Sequence, residues 1–146
     1  MKKSLWRNSR GFTLIEIMVV VVILGILAGL VVPKLLEKPE RARRTKAAVQ
    51  IESLKQSLGM FKLDNGFYPS TEQGLEALVE KPENGREPKK YAKGGYIEKV
   101  PVDPWDNPYV YLSPGAHGDY DLISYGADGE PGGEDANADI ESWNLE

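Results

Sequence analysis

The sequence contains no cysteine. A chain without cysteine forms no disulfide bond and offers no thiolate ligand to a metal, so both kinds of site are excluded. Histidine is almost absent too, since His117 is the single example and lies in a stretch rich in Pro and Gly. A Ser-His-Asp triad would depend on this one turn residue and is disfavoured. A length of 146 residues fits one ordinary domain and excludes a large multidomain enzyme.

Positive charge is missing from the C-terminal third of the chain. All 18 Lys and Arg residues lie at or before Lys99, whereas residues 100–146 carry 11 acidic residues. The net charge of −4 argues against the whole chain being a generic nucleic-acid binder. The basic run at residues 41–46 is better interpreted as a membrane-proximal helix face or as an inter-subunit ion pair than as a nucleic-acid contact.

An apolar segment follows the basic N-terminus. Residues 17–32 form 16 positions without a charge, and extension back to Phe12 adds only Glu16. As a helix, residues 12–32 would measure about 32 Å, close to a hydrocarbon core of about 30 Å. A buried core helix and a cleaved secretory signal peptide fit less well, because the domain is small and no Ala-x-Ala-like site follows Val32. We therefore predict a retained membrane helix, and its two basic flanks do not fix its orientation.

The remaining pattern predicts one long helix and a small sheet. The helix is expected to be about 50 residues long, to bend at Pro33 and Pro39, and to end at residues 64–66. A capping-box spacing predicts a short helix over residues 70–80, followed by a loop at residues 82–95. Residues 109–112 and 120–125 are predicted to form an antiparallel hairpin with Asp119 and Asp121 on its solvent face, and Trp143 to anchor a final strand. The predicted core face of the long helix consists of residues spaced 4, 3, 4 and 3: Ala47, Ile51, Leu54, Leu58 and Phe61.

Glu16 is an acidic residue near the start of the apolar segment. A carboxylate at the centre of a bilayer costs about 2.5–3.5 kcal/mol, and less near its edge. One interpretation is therefore a hydrated Glu16 at the level of the lipid headgroups. The other is an ion pair with a buried cation, which a free amine on Phe12 would supply if the chain were cut after Gly11.

The N-terminal motif resembles the signal of type IV pilins and pseudopilins. It reads Arg10-Gly11-Phe12-Thr13-Leu14-Ile15-Glu16 and precedes the apolar helix. Further stretches are similar to the major pseudopilins of type II secretion systems, so that the resemblance covers nearly the whole chain. These stretches are residues 68–75 (YPSTEQGL), 101–109 (PVDPWDNPY), 124–129 (SYGADG) and 138–143 (ADIESW).

This resemblance implies an α+β, pilin-like fold, in which a long N-terminal helix packs on a small antiparallel sheet with a C-terminal calcium loop. It implies a leader at residues 1–11 that prepilin peptidase removes after Gly11, followed by N-methylation of Phe12. Residues 12–36 would form a transmembrane and filament-core helix, and residues 37–146 a periplasmic domain. The chain would span the inner membrane once, with its N-terminus in the cytoplasm, and Glu16 would pair with the N-terminal amine of a neighbouring subunit.

The function that the resemblance implies is structural and not enzymatic. The chain would be the major subunit of the pseudopilus, a helical filament that helps to drive folded proteins across the outer membrane. Its implied partners are further copies of itself, minor pseudopilins, prepilin peptidase and an inner-membrane assembly platform, with no nucleic acid. A type IV pilin for adhesion or motility is one alternative, although such pilins usually carry a disulfide. A membrane-tethered calcium-binding module is the other.

The C-terminal acidic cluster is a candidate cation site, and we call residues 126–139 the acidic loop. Carboxylates crowded in this way repel one another unless they are neutralised, and oxygen ligands among tight glycine turns suit Ca²⁺. From the spacing alone, a solvated loop is the favoured interpretation. The resemblance reverses this preference and implies a structural calcium ion. The ligands it implies are the side chains of Asp128, Asp135 and Asn137 and the backbone carbonyls of Tyr125 and Glu130, with Asp139 and Glu134 as further candidates.

Overall fold

The computed structural model describes residues 11–145, and for residues 31–38 it describes only the helical backbone. Most of the predicted leader, residues 1–10, therefore lies outside the described residues. In chain order the elements are helix α1 (Leu14–Asn65) and strands β1 (Val110–Leu112), β2 (Asp121–Ser124) and β3 (Ile140–Glu141). Two short 3-10 helices (Leu75–Leu78 and Asp135–Asn137) complete them. The chain divides into two compact units between Lys38 and Pro39. The domain boundary after residue 36 stays a prediction.

Helix α1 is 52 residues long and confirms the predicted long helix. Its end is set by Gly66, which adopts a positive φ of 83° and donates its N–H to the carbonyl of Lys62 at 2.7 Å. This is the glycine C-cap that the turn residues predicted. Among the residues that the structure describes, no helix is both long enough and apolar enough to cross a membrane. The membrane segment at residues 12–36 extends into residues 31–38 and stays a prediction.

The three strands form one antiparallel sheet in the order β1-β2-β3. Tyr111 of β1 pairs with Leu122 of β2, and Ser124 of β2 pairs with Ile140 of β3. The predicted hairpin is therefore confirmed. The final strand lies just before Trp143, whose indole stacks on the imidazole of His117 with a centroid distance of 3.8 Å.

One face of α1 is buried together with the sheet. All five apolar positions predicted for this face are at most 2% exposed, and they belong to one core cluster with Tyr111, Leu122 and Ile140 of the strands. Phe61 also makes an edge-to-face contact with Phe67 at 5.6 Å. Complete burial of a large aliphatic or aromatic side chain contributes about 1.5–3 kcal/mol. This cluster therefore holds the C-terminal half of α1 against the sheet.

The predicted helix at residues 70–80 is wrong in its length and type. The capping box does form, because the Ser70 N–H donates to Gln73 Oε1 at 3.0 Å and the Gln73 N–H donates to Ser70 Oγ at 3.3 Å. Gly74 then adopts φ 62° and ψ −169°, which is not helical geometry. Only a single 3-10 turn, Leu75–Leu78, follows, and its leucines enter the core.

Asp121 does not lie on a solvent face, contrary to the sequence prediction. Asp121 is 2% exposed. By contrast, the side chain of Asp119, which forms an ion pair with Lys62, is 65% exposed. The carboxylate of Asp121 accepts the backbone N–H groups of Ala116 and His117 at 2.8 and 3.1 Å. It also contacts His117 Nδ1 at 3.1 Å. Asp121 therefore orders the turn between β1 and β2.

The hydrogen bonds to Asp121 predict that the stability of the fold depends on pH. Burial by itself raises the pKa of the Asp121 carboxyl, but the hydrogen bonds from Ala116 and His117 outweigh burial and hold that pKa below its usual value. A depressed pKa in the folded state stabilises the fold above the unfolded pKa of about 3.9, and this contribution is lost as the pH falls further. We expect Asp121→Asn to lower the free energy of unfolding by about 1–3 kcal/mol at neutral pH.

Urea unfolding of both chains tests this expectation from about pH 5 down to about pH 3, where the difference between them should shrink. The matched control is Asp119→Asn, which changes an exposed ion pair with Lys62 and should alter stability by less than about 1 kcal/mol. A difference between Asp121→Asn and the unaltered chain that is independent of pH would contradict the role given to the carboxylate charge.

Candidate assembly site and cation site

Glu16 lies in the first turn of α1, where it occupies a capping position. The Glu16 N–H donates to Thr13 Oγ1 at 3.3 Å, and the N–H groups of Glu16 and Ile17 both reach the carbonyl of Thr13. Thr13 and Glu16 thus have the Thr-x-x-Glu spacing of a capping box. Glu16 is exposed, and none of the ion pairs among the described residues involves it. In a single copy the carboxylate is therefore available to a neighbour.

The apolar side chains around Glu16 are also uncovered. From Phe12 to Leu30, every large apolar side chain is between 46% and 80% exposed. A continuous apolar surface of this kind marks a contact with lipid or with other protein chains. Of the two predicted processing residues, Gly11 directly precedes this surface and Phe12 is its first residue, and both are exposed.

The acidic loop folds back on itself through two glycines. Gly126 and Gly133 both have positive φ values, 65° and 92°. A Cβ atom on either residue would lie within 2.8 Å of the carbonyl oxygen of Asn137. The Ala127 N–H donates to the carbonyl of Ala136 at 3.0 Å across the same gap. The loop is thus a narrow cradle of backbone oxygens. A residue larger than glycine would not fit at either of these two positions.

The acidic side chains of this loop do not form a ready-made metal cluster. No group of three or more His, Cys, Asp or Glu side chains arranged to hold a metal occurs in the part of the chain that is described. Asp139 is the most distinctive of these acids, because its Oδ2 accepts the Gly132 N–H at 2.9 Å while its Oδ1 is buried without a partner. A buried carboxylate oxygen without a hydrogen bond is costly unless a cation compensates it.

The predicted ligands occupy different environments in the loop. Asp128 Oδ1 accepts the Glu130 N–H at 3.1 Å and is exposed. Asp135 has a positive φ of 52° at the start of the second 3-10 helix, which also contains Asn137. Hydrogen bonds among the described residues leave the carbonyl oxygens of Tyr125 and Glu130 unoccupied. The candidate ligands that the structure favours are therefore backbone oxygens and Asp139, whereas most of the carboxylates of the loop are exposed to solvent.

Two residues that fix this region were missed by sequence reasoning. Arg44 on α1 donates from Nη1 to the carbonyl oxygens of Asp135 at 3.1 Å and of Ala138 at 2.6 Å. Asn107 donates from Nδ2 to the carbonyl of Gly126 at 3.1 Å. The basic run at residues 41–46 indicated a membrane-facing or inter-subunit role, and no local signal distinguished Arg44 from its neighbours.

A buried aspartate organises the segment that carries Asn107. Asp103 is 2% exposed, and its Oδ1 accepts the N–H groups of Trp105 and Asn107 at 3.0 and 2.8 Å. Its Oδ2 accepts the hydroxyl of Ser124 at 2.6 Å. Asp103 thus joins the loop before β1 to the end of β2, where the acidic loop begins. In the sequence, Asp103 is marked only by the nearby Pro101 and Pro104. This pattern is typical of a turn and does not indicate burial.

Family models match nearly the whole of this chain. The model described as type II secretion system (T2SS), protein G, matches residues 34–143. The model described as the prokaryotic N-terminal methylation motif matches residues 6–32. The second match contains Gly11, Phe12 and Glu16, and the first contains the entire acidic loop.

Individual relatives agree with these models. The chain is 58% identical to a type II secretion system core protein G from Pseudomonas aeruginosa, over 94% of this chain and 96% of that protein. It is 56% identical to a protein of the same name from Vibrio cholerae, over 100% of this chain and 98% of that protein. A crystal structure of the major pseudopilin from the type 2 secretion system of enterohaemorrhagic Escherichia coli superposes with a TM-score of 0.67 and 44% identity. The match covers 76% of this chain and 95% of that one.

Proposed function

Because this chain belongs to the type II secretion system protein G family and is a subunit of the pseudopilus, we propose that it assembles through Glu16 and is stabilised by calcium in the acidic loop. The family consists of structural pseudopilin subunits and is not an enzyme family. The pseudopilus role replaces the two alternatives, a pilin for adhesion or motility and a tethered calcium-binding module. We assign no catalytic residue to the chain.

The observation that carries the assembly proposal is the uncovered apolar surface from Phe12 to Leu30, with Glu16 in its first turn. Cleavage after Gly11 would leave a free amine on Phe12, which is then methylated and stays cationic. When α1 helices of successive copies pack together, Glu16 of one copy would meet this amine of another. A subunit docked out of register would bury an unpaired carboxylate, which is strongly unfavourable. The pair therefore fixes the register of the filament.

We propose that the chain is held in the inner membrane before assembly and lies in the periplasm afterwards. The match to the N-terminal methylation motif supports this location. Transfer from lipid into a filament costs little, because neighbouring apolar helices replace the lipid tails. A head-to-tail contact of this kind produces an open helical filament and not a closed ring. Prepilin peptidase, minor pseudopilins and an inner-membrane platform are the expected partners, and growth of the filament would help to move folded proteins across the outer membrane.

The residues of the acidic loop fit a calcium ion in their chemistry. Calcium takes 6–8 oxygen ligands and accepts backbone carbonyls as readily as carboxylates. The supporting observations are the buried, unpartnered Oδ1 of Asp139 and the backbone cradle at Gly126 and Gly133. A bound ion would neutralise the repulsion among the loop carboxylates. The residues proposed to hold it are Asp139 together with the side chains of Asp128, Asp135 and Asn137 and the carbonyls of Tyr125 and Glu130.

Removal of calcium is expected to lower the thermal stability of the full chain in detergent. A ligand present at a hundredfold excess over its Kd stabilises a protein by about 2.7 kcal/mol. For a globular unit of this size, such a loss lowers the Tm by roughly 10 °C. Thermal unfolding with added calcium and with EGTA measures the effect. An unchanged Tm on addition of EGTA would show the loop to be a solvated acidic segment.

Asp139→Asn is expected to remove this response to calcium. The amide oxygen can still accept the Gly132 N–H, but the amide nitrogen then occupies the position of the unpartnered Oδ1 and cannot bind a cation. Without calcium the variant should be at least as stable as the unaltered chain, because a buried uncompensated carboxylate has been removed. Glu141→Gln is the matched control, since it removes the same charge from the neighbouring strand and should retain the calcium response.

A further inference from the structure

Arg44 connects helix α1 to the far end of the chain. Arg44 is half-buried, and its Nη1 donates to two carbonyl oxygens, those of Asp135 and Ala138. These residues lie 91 and 94 positions further along the chain. They bracket the second 3-10 helix (Asp135–Asn137), which carries two of the proposed calcium ligands. Arg44 therefore holds both ends of that short helix from outside the loop.

Arg44 donates to neutral backbone carbonyl oxygens, so this contact is not an ion pair with a carboxylate. The neighbouring Arg43 forms an ion pair with Glu40 on the same helix. By contrast, no ion pair of Arg44 with a carboxylate occurs among the described residues, although acidic residues adjoin its two acceptors in the sequence. A guanidinium presents several N–H donors in a fixed plane, so it can hold two carbonyls at once, which a lysine ammonium does less precisely.

The backbone that Arg44 holds needs external support. Asp135 has a positive φ of 52°, a conformation that residues other than glycine adopt at a cost. The 3-10 helix that follows is a single turn, closed by the N–H of Asn137 to the carbonyl of Glu134 at 3.0 Å and by the N–H of Ala138 to the carbonyl of Asp135 at 3.4 Å. None of its residues is buried. Because the turn has no buried residue of its own, it is held by the N–H of Ala127 at its middle and by the two hydrogen bonds from Arg44 at its ends.

We propose that Arg44 is a positioning residue for the cation site, and that it couples occupancy of the acidic loop to helix α1. This inference rests on the calcium site proposed above. By fixing the carbonyls of Asp135 and Ala138, Arg44 sets the backbone on which Asp135, Asn137 and Asp139 are carried. Substitution of a residue that orients metal ligands typically weakens metal affinity by about 10- to 100-fold. Repulsion between the guanidinium and a bound cation acts in the opposite direction, so the test must separate geometry from charge.

Arg44→Lys makes this separation, because it keeps the positive charge and loses the planar pair of donors. Calcium chloride is titrated calorimetrically into the full chain in detergent, for the unaltered chain, Arg44→Lys and Arg44→Gln. We expect Arg44→Lys to weaken calcium binding about tenfold, and Arg44→Gln to weaken it as well despite relief of the repulsion. Arg41→Lys is the matched control, since Arg41 is an exposed arginine one turn earlier and should leave the Kd unchanged.

Hydrogen exchange of the calcium-free chain gives a second readout. Amides of Asn137 and Ala138, which close the short helix, should exchange faster in Arg44→Lys, whereas amides of the buried α1 face should not. A purely structural role for Arg44 would lower the Tm equally with and without calcium and leave the Kd unchanged. A Kd within about twofold of the unaltered chain in Arg44→Lys, or tighter binding in Arg44→Gln, would overturn the proposal. Absence of calcium binding by the unaltered chain would instead overturn the calcium site itself, and this inference with it.

Discussion

Glu16→Gln is expected to abolish filament assembly while cleavage after Gly11 continues. Gln occupies the same capping position as Glu and serves a capping box equally well, so the start of α1 should be unaffected. What is lost is the negative charge that would compensate the Phe12 amine of a neighbouring copy. Leaving a buried charge without its partner costs about 3–5 kcal/mol, which lowers the affinity of each subunit contact by roughly two to four orders of magnitude.

The measurement combines chemical cross-linking in intact cells with the mass of the mature N-terminus. The unaltered chain should give a ladder of cross-linked multimers, and Glu16→Gln should give monomers whose N-terminus is a processed Phe12. Thr13→Ala is the matched control, because it removes the hydroxyl that accepts the Glu16 N–H and keeps the charge. Loss of an N-cap costs about 1 kcal/mol, so this variant should still assemble.

A normal ladder from Glu16→Gln would refute the ion pair and leave Glu16 with its capping role alone. Failure of Thr13→Ala together with Glu16→Gln would point instead to the integrity of the first helical turn. Both residues lie within four positions of Phe12, so the N-terminal mass also shows whether either variant is cleaved.

Asp103→Ala is expected to destabilise the globular unit by about 3 kcal/mol or more. Its carboxylate accepts the N–H groups of Trp105 and Asn107 and the hydroxyl of Ser124, all within 3.0 Å. Truncation to Ala leaves the buried hydroxyl of Ser124 and two partly buried N–H groups without this acceptor. Asn107, which holds the carbonyl of Gly126 at the start of the acidic loop, would lose its own anchor. We therefore expect weaker calcium binding as well.

Thermal or urea unfolding of the full chain in detergent measures this loss, and a decrease in Tm of more than 10 °C or so is expected for a unit of this size. Asp119→Ala is the control, because it deletes an equal carboxylate from an exposed ion pair and should cost less than about 1 kcal/mol. Equal losses in the two variants would mean that burial of Asp103 is not what gives it its importance.

Parts of this fold follow from short stretches of sequence. The buried face of α1 from Ala47 to Phe61 repeats with the helical period, and the glycine after Asn65 ends the helix. The hairpin of β1 and β2 follows from two apolar runs on either side of a Pro-Gly turn. Each of these features depends on residues within a few positions of one another, so local patterns suffice to predict them.

The same patterns failed where a local choice was overridden. Ser70 and Gln73 form the predicted capping box, yet Gly74 leaves helical geometry directly after it, and only the 3-10 turn Leu75–Leu78 follows. Alternation along β2 placed Asp121 with Asp119 on a solvent face, although the turn before it folds over the carboxylate. An aspartate is normally exposed, and only donors supplied by a neighbouring turn make its burial favourable.

By itself, the sequence determined the long helix, the hairpin and the contiguous motif around Gly11, Phe12 and Glu16, because their signals lie within a few residues of one another. The tertiary structure alone decided that Arg44 meets Ala138, that Asp103 meets Ser124 and that Asp139 has a buried unpartnered oxygen. These contacts join residues far apart in the chain or depend on which atoms water can reach. Composition and spacing contain no record of either, since both arise only when the chain has closed on itself.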